Sequence, residues 1–119
     1  MSILYLLFGF GGSKGIFKIQ ILESAVVSCG YTCDLLSWVM AHGTAGMAWV
    51  TVQTHMNVIA VASLMEMAAV IIPEGIQMEA PSLEKAKEEG INVLQTQLTA
   101  YEICAKLATA GLPGKNREA

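Results

Sequence analysis

From residue 16 onward the chain alternates short runs of two-residue hydrophobic period with longer runs of helical period. IFKIQIL (residues 16–22) sets apolar side chains against Lys18 and Gln20, which predicts a half-exposed strand, with Val26 and Val27 as its extension or its partner. CDLLSWVMAHG (33–43) predicts a helix whose apolar face is Leu35, Leu36, Val39 and Met40, with Thr32 or Asp34 near its start and Gly43 as its stop. MAWVTV (47–52) predicts the next strand. HMNVIAVASLMEM (55–67) predicts a helix capped by Thr54. It is apolar nearly all round, so it should be sandwiched or lie in a subunit interface. AAVII (68–72) is a continuous apolar run ending in the turn signal PEG, the mark of a central strand buried on both faces. SLEKAKEEG (82–90) predicts a short charged helix, opened by Pro81 or Ser82 and closed by Gly90, and INVLQ (91–95) a further strand. TAYE (99–102) is a capping box, Thr99 and Glu102 bonding each other's backbone N–H, and opens a helix over 100–109 that stops at Gly111 and Pro113. Strand and helix thus alternate four times. This predicts an α/β fold, a mostly parallel sheet with helices on its faces.

Composition sharpens this picture. The 119 residues suit one domain, and 54% of them are hydrophobic against 14% charged. A mean hydropathy of +0.52 requires most elements to be buried on more than one side. The seven Lys and Arg are scattered in a chain of net charge −3, so no nucleic-acid partner is expected. No membrane partner is expected either. A spanning helix needs about 18 apolar residues in a row, and the best window, 58–72, is interrupted by Ser63 and Glu66 and ends at Pro73. The apolar start, MSILYLLFGF, lacks a basic flank and a small-residue cleavage site, and the expected location is cytoplasmic. Cys29, Cys33 and Cys104 read as reduced, small buried hydrophobes without metal-ligand spacing. GFGGSKG is not a phosphate loop, because Lys14 is followed by Gly15 where Ser or Thr is required. Residues 1–15 read as a flexible N-terminal segment, 16–112 as the domain and 113–119 as a frayed tail.

In such an oily chain the polar residues at strand ends stand out. Ligands of open parallel sheets sit beyond the carboxyl ends of the strands, where helix N-termini point. There the sequence places Asp34, then Gln53, Thr54, His55 and Asn57 after the strand at 47–52, and Thr96 after the strand at 91–95. These six are the expected ligand-binding residues, for a small polar or anionic ligand. Thr99 and Glu102 are explained by capping alone. Catalytic chemistry finds no support: there is no nucleophile elbow, Ser37, Ser63 and Ser82 lack an evident base, and Asp34 beside Cys33 opposes a thiolate. No cofactor, metal or catalytic residue is therefore expected, and the chain is read as a non-enzyme.

Four ordered blocks, GYTCDLLSWVMAH, AWVTVQTHMNVIAVASL, VIIPEG and KAKEEGINVLQTQLTAYEICAKL, together resemble the DRTGG domain family over residues 22–107. The last block is also similar to the N-terminal domain of HPr kinase/phosphorylase. The name-giving D-R-x-V-x-G-G pattern falls on residues 24–30, where only Val27 and Gly30 fit. The resemblance implies a stand-alone regulatory or ligand-binding module of that fold and a homodimer. DRTGG domains occur alone or fused to phosphotransacetylases and to CBS-domain pyrophosphatases. Stand-alone members are associated with iron-only hydrogenase systems. This implies, as the alternative, an accessory subunit that contacts a redox enzyme and binds no small ligand. The kinase domain is missing, so a kinase activity does not carry over.

Overall fold

The structure is a computed structural model that describes residues 16–20 and 26–115. In chain order its elements are β1 Ile16–Gln20, β2 Cys29–Thr32, α1 Leu36–His42, β3 Met47–Val50, α2 Met56–Leu64, β4 Ala69–Ile72, α3 Ala80–Glu89, β5 Asn92–Thr96 and α4 Ala100–Thr109. The strands form one sheet of order β1-β5-β4-β3-β2, in which β2 to β5 are parallel and β1 pairs antiparallel with β5. The α/β class and the mostly parallel sheet are as the sequence predicts. The expected segment 1–15 and residues 116–119 lie outside the described residues.

Two elements differ from the sequence reading. Cys29–Thr32 is a strand in its own right, the first of the parallel set. Its four residues are too few to show a period, and its Gly30 reads as a break. The glycine has a packing reason: a Cβ there would sit 3.4 Å from the Leu107 side chain of α4 and 3.5 Å from that of Leu112. Ile16–Gln20, in turn, opens no parallel unit. It lies at the far edge of the sheet, with Ile19 opposite Leu94 and Gln20 opposite Val93.

Strand alternation builds two cores. Tyr31, Trp49, Val70 and Val93 stand side by side in register, and the last three, fully buried, face α1, α2 and α3 together with Val39, Ile59 and Ala86. On the other face Val50, Ile71 and Leu94 form the matching row, against Ile103 and Leu107 of α4. The helix α2 lies between α1 and α3. It buries Val58, Ile59, Val61 and Ala62, leaving Met56 and Leu64 outward at 42% and 68% exposure. Flanking on two sides plus the sheet beneath explains why so few polar residues occur along it.

The predicted stops hold. Gly90 closes α3 in the left-handed conformation, φ 71°, which costs glycine little, and Gly43 closes α1 with its N–H on the carbonyl of Val39. The capping box of α4 forms in full: the Glu102 N–H donates to Thr99 Oγ1 at 3.1 Å and the Thr99 N–H to Glu102 Oε1 at 3.2 Å. Pro113 and Gly114, placed in the tail by the sequence, are held against β2, where the Gly30 N–H donates to the Pro113 carbonyl at 2.9 Å. Among the described residues no helix is long and apolar enough to cross a membrane.

Candidate functional site

The six residues expected to bind a ligand lie at the carboxyl ends of β2, β3 and β5. Most of them bond to protein. Asp34 Oδ1 accepts from Thr51 Oγ1 at 2.9 Å and from the Val52 N–H at 3.0 Å, while Gln53 Nε2 donates to the Asp34 carbonyl at 3.0 Å. Together these bonds tie the loop after β2 to the loop after β3. Thr54 does not cap α2. Its hydroxyl donates to Glu79 Oε2 at 3.3 Å, and its carbonyl accepts from the buried Ser82 hydroxyl at 2.7 Å, both on the segment that begins α3. His55 is the cap: its Nδ1 accepts from the Asn57 N–H at 3.2 Å. The expected Thr54 cap is thus corrected by one residue, because long-range partners engage Thr54.

Thr96 stands apart, two strands away and buried. Its hydroxyl accepts from the Leu98 N–H at 3.1 Å. Beside it the N–H groups of Glu74 and Gly75 donate to the carbonyls of Leu98 and Thr96 at 2.8 and 2.9 Å. Glu74 and Gly75 both have positive φ, 65° and 71°, so this turn is bent to make those two bonds. The structure therefore brings Asp34, Gln53, Thr54, His55 and Asn57 to one rim and leaves Thr96 beneath a different loop pair. Exposed at that rim are Gln53, His55 and Asn57 with the Asp34 carboxylate.

A concave site lies elsewhere, along the outer edge of β2. A cleft of about 600 Å³ runs between α1, α4 and the segment at 112–115. Its residues include Tyr31 and Thr32 from β2, Trp38 and His42 from α1, Cys104 from α4, and Lys115. Positions 38 and 42 are one turn apart, which stacks the indole and imidazole rings 4.0 Å apart at an interplanar angle of 23°. Trp38 Nε1–H donates to Tyr31 Oη at 2.9 Å. His42 Nδ1 lies 2.9 Å from the Trp38 carbonyl, which can only accept, so Nδ1 carries the proton. The indole is thereby fixed at its ring nitrogen and across one face. Burial pushes the Cys104 thiol above its ordinary range, which keeps it neutral and poorly nucleophilic.

Sequence reasoning missed the cleft. Its residues are spread over more than eighty positions, and the one local sign of it is the Trp38–His42 spacing. Among the described residues no group of three or more His, Cys, Asp or Glu is arranged to hold a metal.

No protein-family model matches the chain, and no curated protein sequence matches it. Among solved structures, it is similar to the CBS and DRTGG domains of the regulatory region of Clostridium perfringens pyrophosphatase, a complex with the activator diadenosine tetraphosphate. The TM-score is 0.66 at 12% identity, over 94% of this chain and 47% of that one. The chain thus spans about half the length of that neighbour and has a CBS/DRTGG-like α/β fold.

Proposed function

We propose that this chain is a regulatory module of the DRTGG type that binds a small polar or anionic ligand, with no catalytic step of its own. The observation that carries this reading is the β2-edge cleft with its pre-fixed Trp38, found on a fold shared with a regulatory region rather than a catalytic one. The neighbour's complex with diadenosine tetraphosphate supports nucleotides as the first ligands to test. The rim of Asp34, Gln53, Thr54, His55 and Asn57 is the other candidate contact region, Thr96 lying apart from it.

Acting on a partner requires a surface, and Leu35, Val52, Met56 and Leu64, all more than 40% exposed, supply apolar area near that rim and along α2. They support a homodimer, and equally the second reading, an accessory subunit that contacts a redox enzyme without a small ligand.

A thermal-shift series with nucleotides and acyl phosphates separates the two. A ligand at ten times its Kd adds about 1.4 kcal/mol, or roughly 5–10 °C for a domain of this size. No rise with any of them rejects the ligand-binding reading and leaves the accessory-subunit reading.

A further inference from the structure

The β2-edge cleft combines three kinds of recognition group. The first is a rigid aromatic plate. Trp38 lines the cleft and is 51% exposed with His42 stacked on one of its faces, and the indole is oriented by the bond to Tyr31. A ring held in place before binding loses little rotamer freedom when a second ring stacks on it.

The second is charge. Lys115 is the sole Lys or Arg among the described residues lining the cleft, and no Asp or Glu lines it. In a chain of net charge −3, that makes the cleft a local exception that favours anions.

The third is backbone. Cys33 N–H donates inward to the Val50 carbonyl and Gly30 N–H outward to the Pro113 carbonyl. With a period of two, Thr32 N–H faces the same outer edge as Gly30. The Tyr31 hydroxyl accepts from Trp38 and still has its own proton to donate.

A flat ring partner, one cation and outward donors, in a cleft of about 600 Å³, match a planar heteroaromatic ring joined to an anionic chain. We infer that the cleft is a nucleotide site in which the base stacks on Trp38 and the phosphates lie toward Lys115 and the Thr32 N–H. This rests on the ligand-binding reading above and gives that reading a ligand class and a place.

The two tryptophans make it measurable. Trp49 is fully buried, with its Nε1–H on the Cys33 carbonyl at 2.8 Å, so acrylamide quenching in the full chain reports Trp38. ATP is titrated beside adenosine and tripolyphosphate, with melting temperature read in parallel. The expected result is that ATP shields Trp38 and raises the melting temperature, adenosine shields it more weakly, and tripolyphosphate does not shield it. Trp38→Leu should weaken ATP binding about ten- to a hundredfold, measured by melting shift or calorimetry. Lys115→Gln should weaken it and flatten its salt dependence. Both residues are partly exposed, so both variants should fold, which circular dichroism checks.

If ATP raises the melting temperature but leaves Trp38 equally quenchable, or if His55→Ala and not Trp38→Leu abolishes binding, the cleft assignment is overturned while the ligand-binding reading stands. Binding of tripolyphosphate as tight as that of ATP overturns the stacking role. If neither nucleotides nor acyl phosphates raise the melting temperature, both readings fall.

Discussion

Replacing Asp34 with alanine tests whether the rim at the end of β3 is chiefly a joint between loops. Asp34 Oδ1 takes two bonds, from the Thr51 hydroxyl at 2.9 Å and the Val52 N–H at 3.0 Å. Thr51 is 1% exposed, so its hydroxyl loses a carboxylate partner and gains little water in return. A hydrogen bond to a charged group contributes about 1.5–3 kcal/mol, and a stranded buried donor costs about 1–3 kcal/mol. The Val52 N–H is exposed and water replaces its partner, so the two losses together come to about 2–4 kcal/mol. Asp34→Asn keeps an oxygen in the same place and should cost about 1 kcal/mol, the charge-assisted part. With a urea slope of about 1–1.5 kcal/mol per molar for a chain of this size, Asp34→Ala should lower the unfolding midpoint by about 1.3–4 M. Trp49 fluorescence is the probe: the indole is buried and bonds to the carbonyl of Cys33, next to Asp34 in sequence. A loss within 0.5 kcal/mol for Asp34→Ala would refute the reasoning and return the carboxylate to the role of a free ligand contact.

Three further outcomes are expected. His55→Ala should cost about 1 kcal/mol in urea denaturation through the lost cap on the Asn57 N–H, and His55→Ser should restore most of it. Gly75→Ala should cost about 1–2 kcal/mol by the same assay, because φ is 71° and the new Cβ would stand 2.8 Å from Gln97 Oε1. The raised Cys104 thiol predicts slower alkylation by iodoacetamide at pH 8 than for glutathione, followed by mass spectrometry at that residue. Since folding favours the neutral thiol there, the linked stability is present below the unfolded thiol value and is lost as pH rises through the folded one.

The parts of the fold that local physics determines could be read from the chain. Apolar runs marked β3, β4 and β5, Gly43 and Gly90 marked helix ends, and Thr99 with Glu102 marked the start of α4. What escaped was decided at long range. The cap moved from Thr54 to His55 because Glu79 and Ser82, more than twenty residues on, engage Thr54. The antiparallel placement of β1 depends on β5, far along the chain. The six residues expected to bind a ligand sit at strand ends, whereas the cleft runs along the outer edge of β2. Here β2, β3, β4 and β5 follow one another in order, with α1 to α3 on one face, so no reversal splits neighbouring loops apart. The change of face among the described helices comes with α4, and the cleft opens where α4 and α1 flank the same edge strand.

The contact between Gly30 and the 113–114 segment also sets how the domain responds to mechanical load. The sheet holds β1 at one margin and the 113–114 segment at the other. Tension applied between Ile16 and Lys115 therefore acts across the strands, peeling pairings from the margins instead of shearing them along their length. Among the described residues β1 and β5 share a register of four residue pairs, whereas the opposite margin shows an isolated bridge at Gly30 and Gly114. Gly30, Pro113 and Gly114 at that bridge are also part of the wall of the β2-edge cleft. Load applied at Lys115 would therefore bear directly on a wall of the cleft.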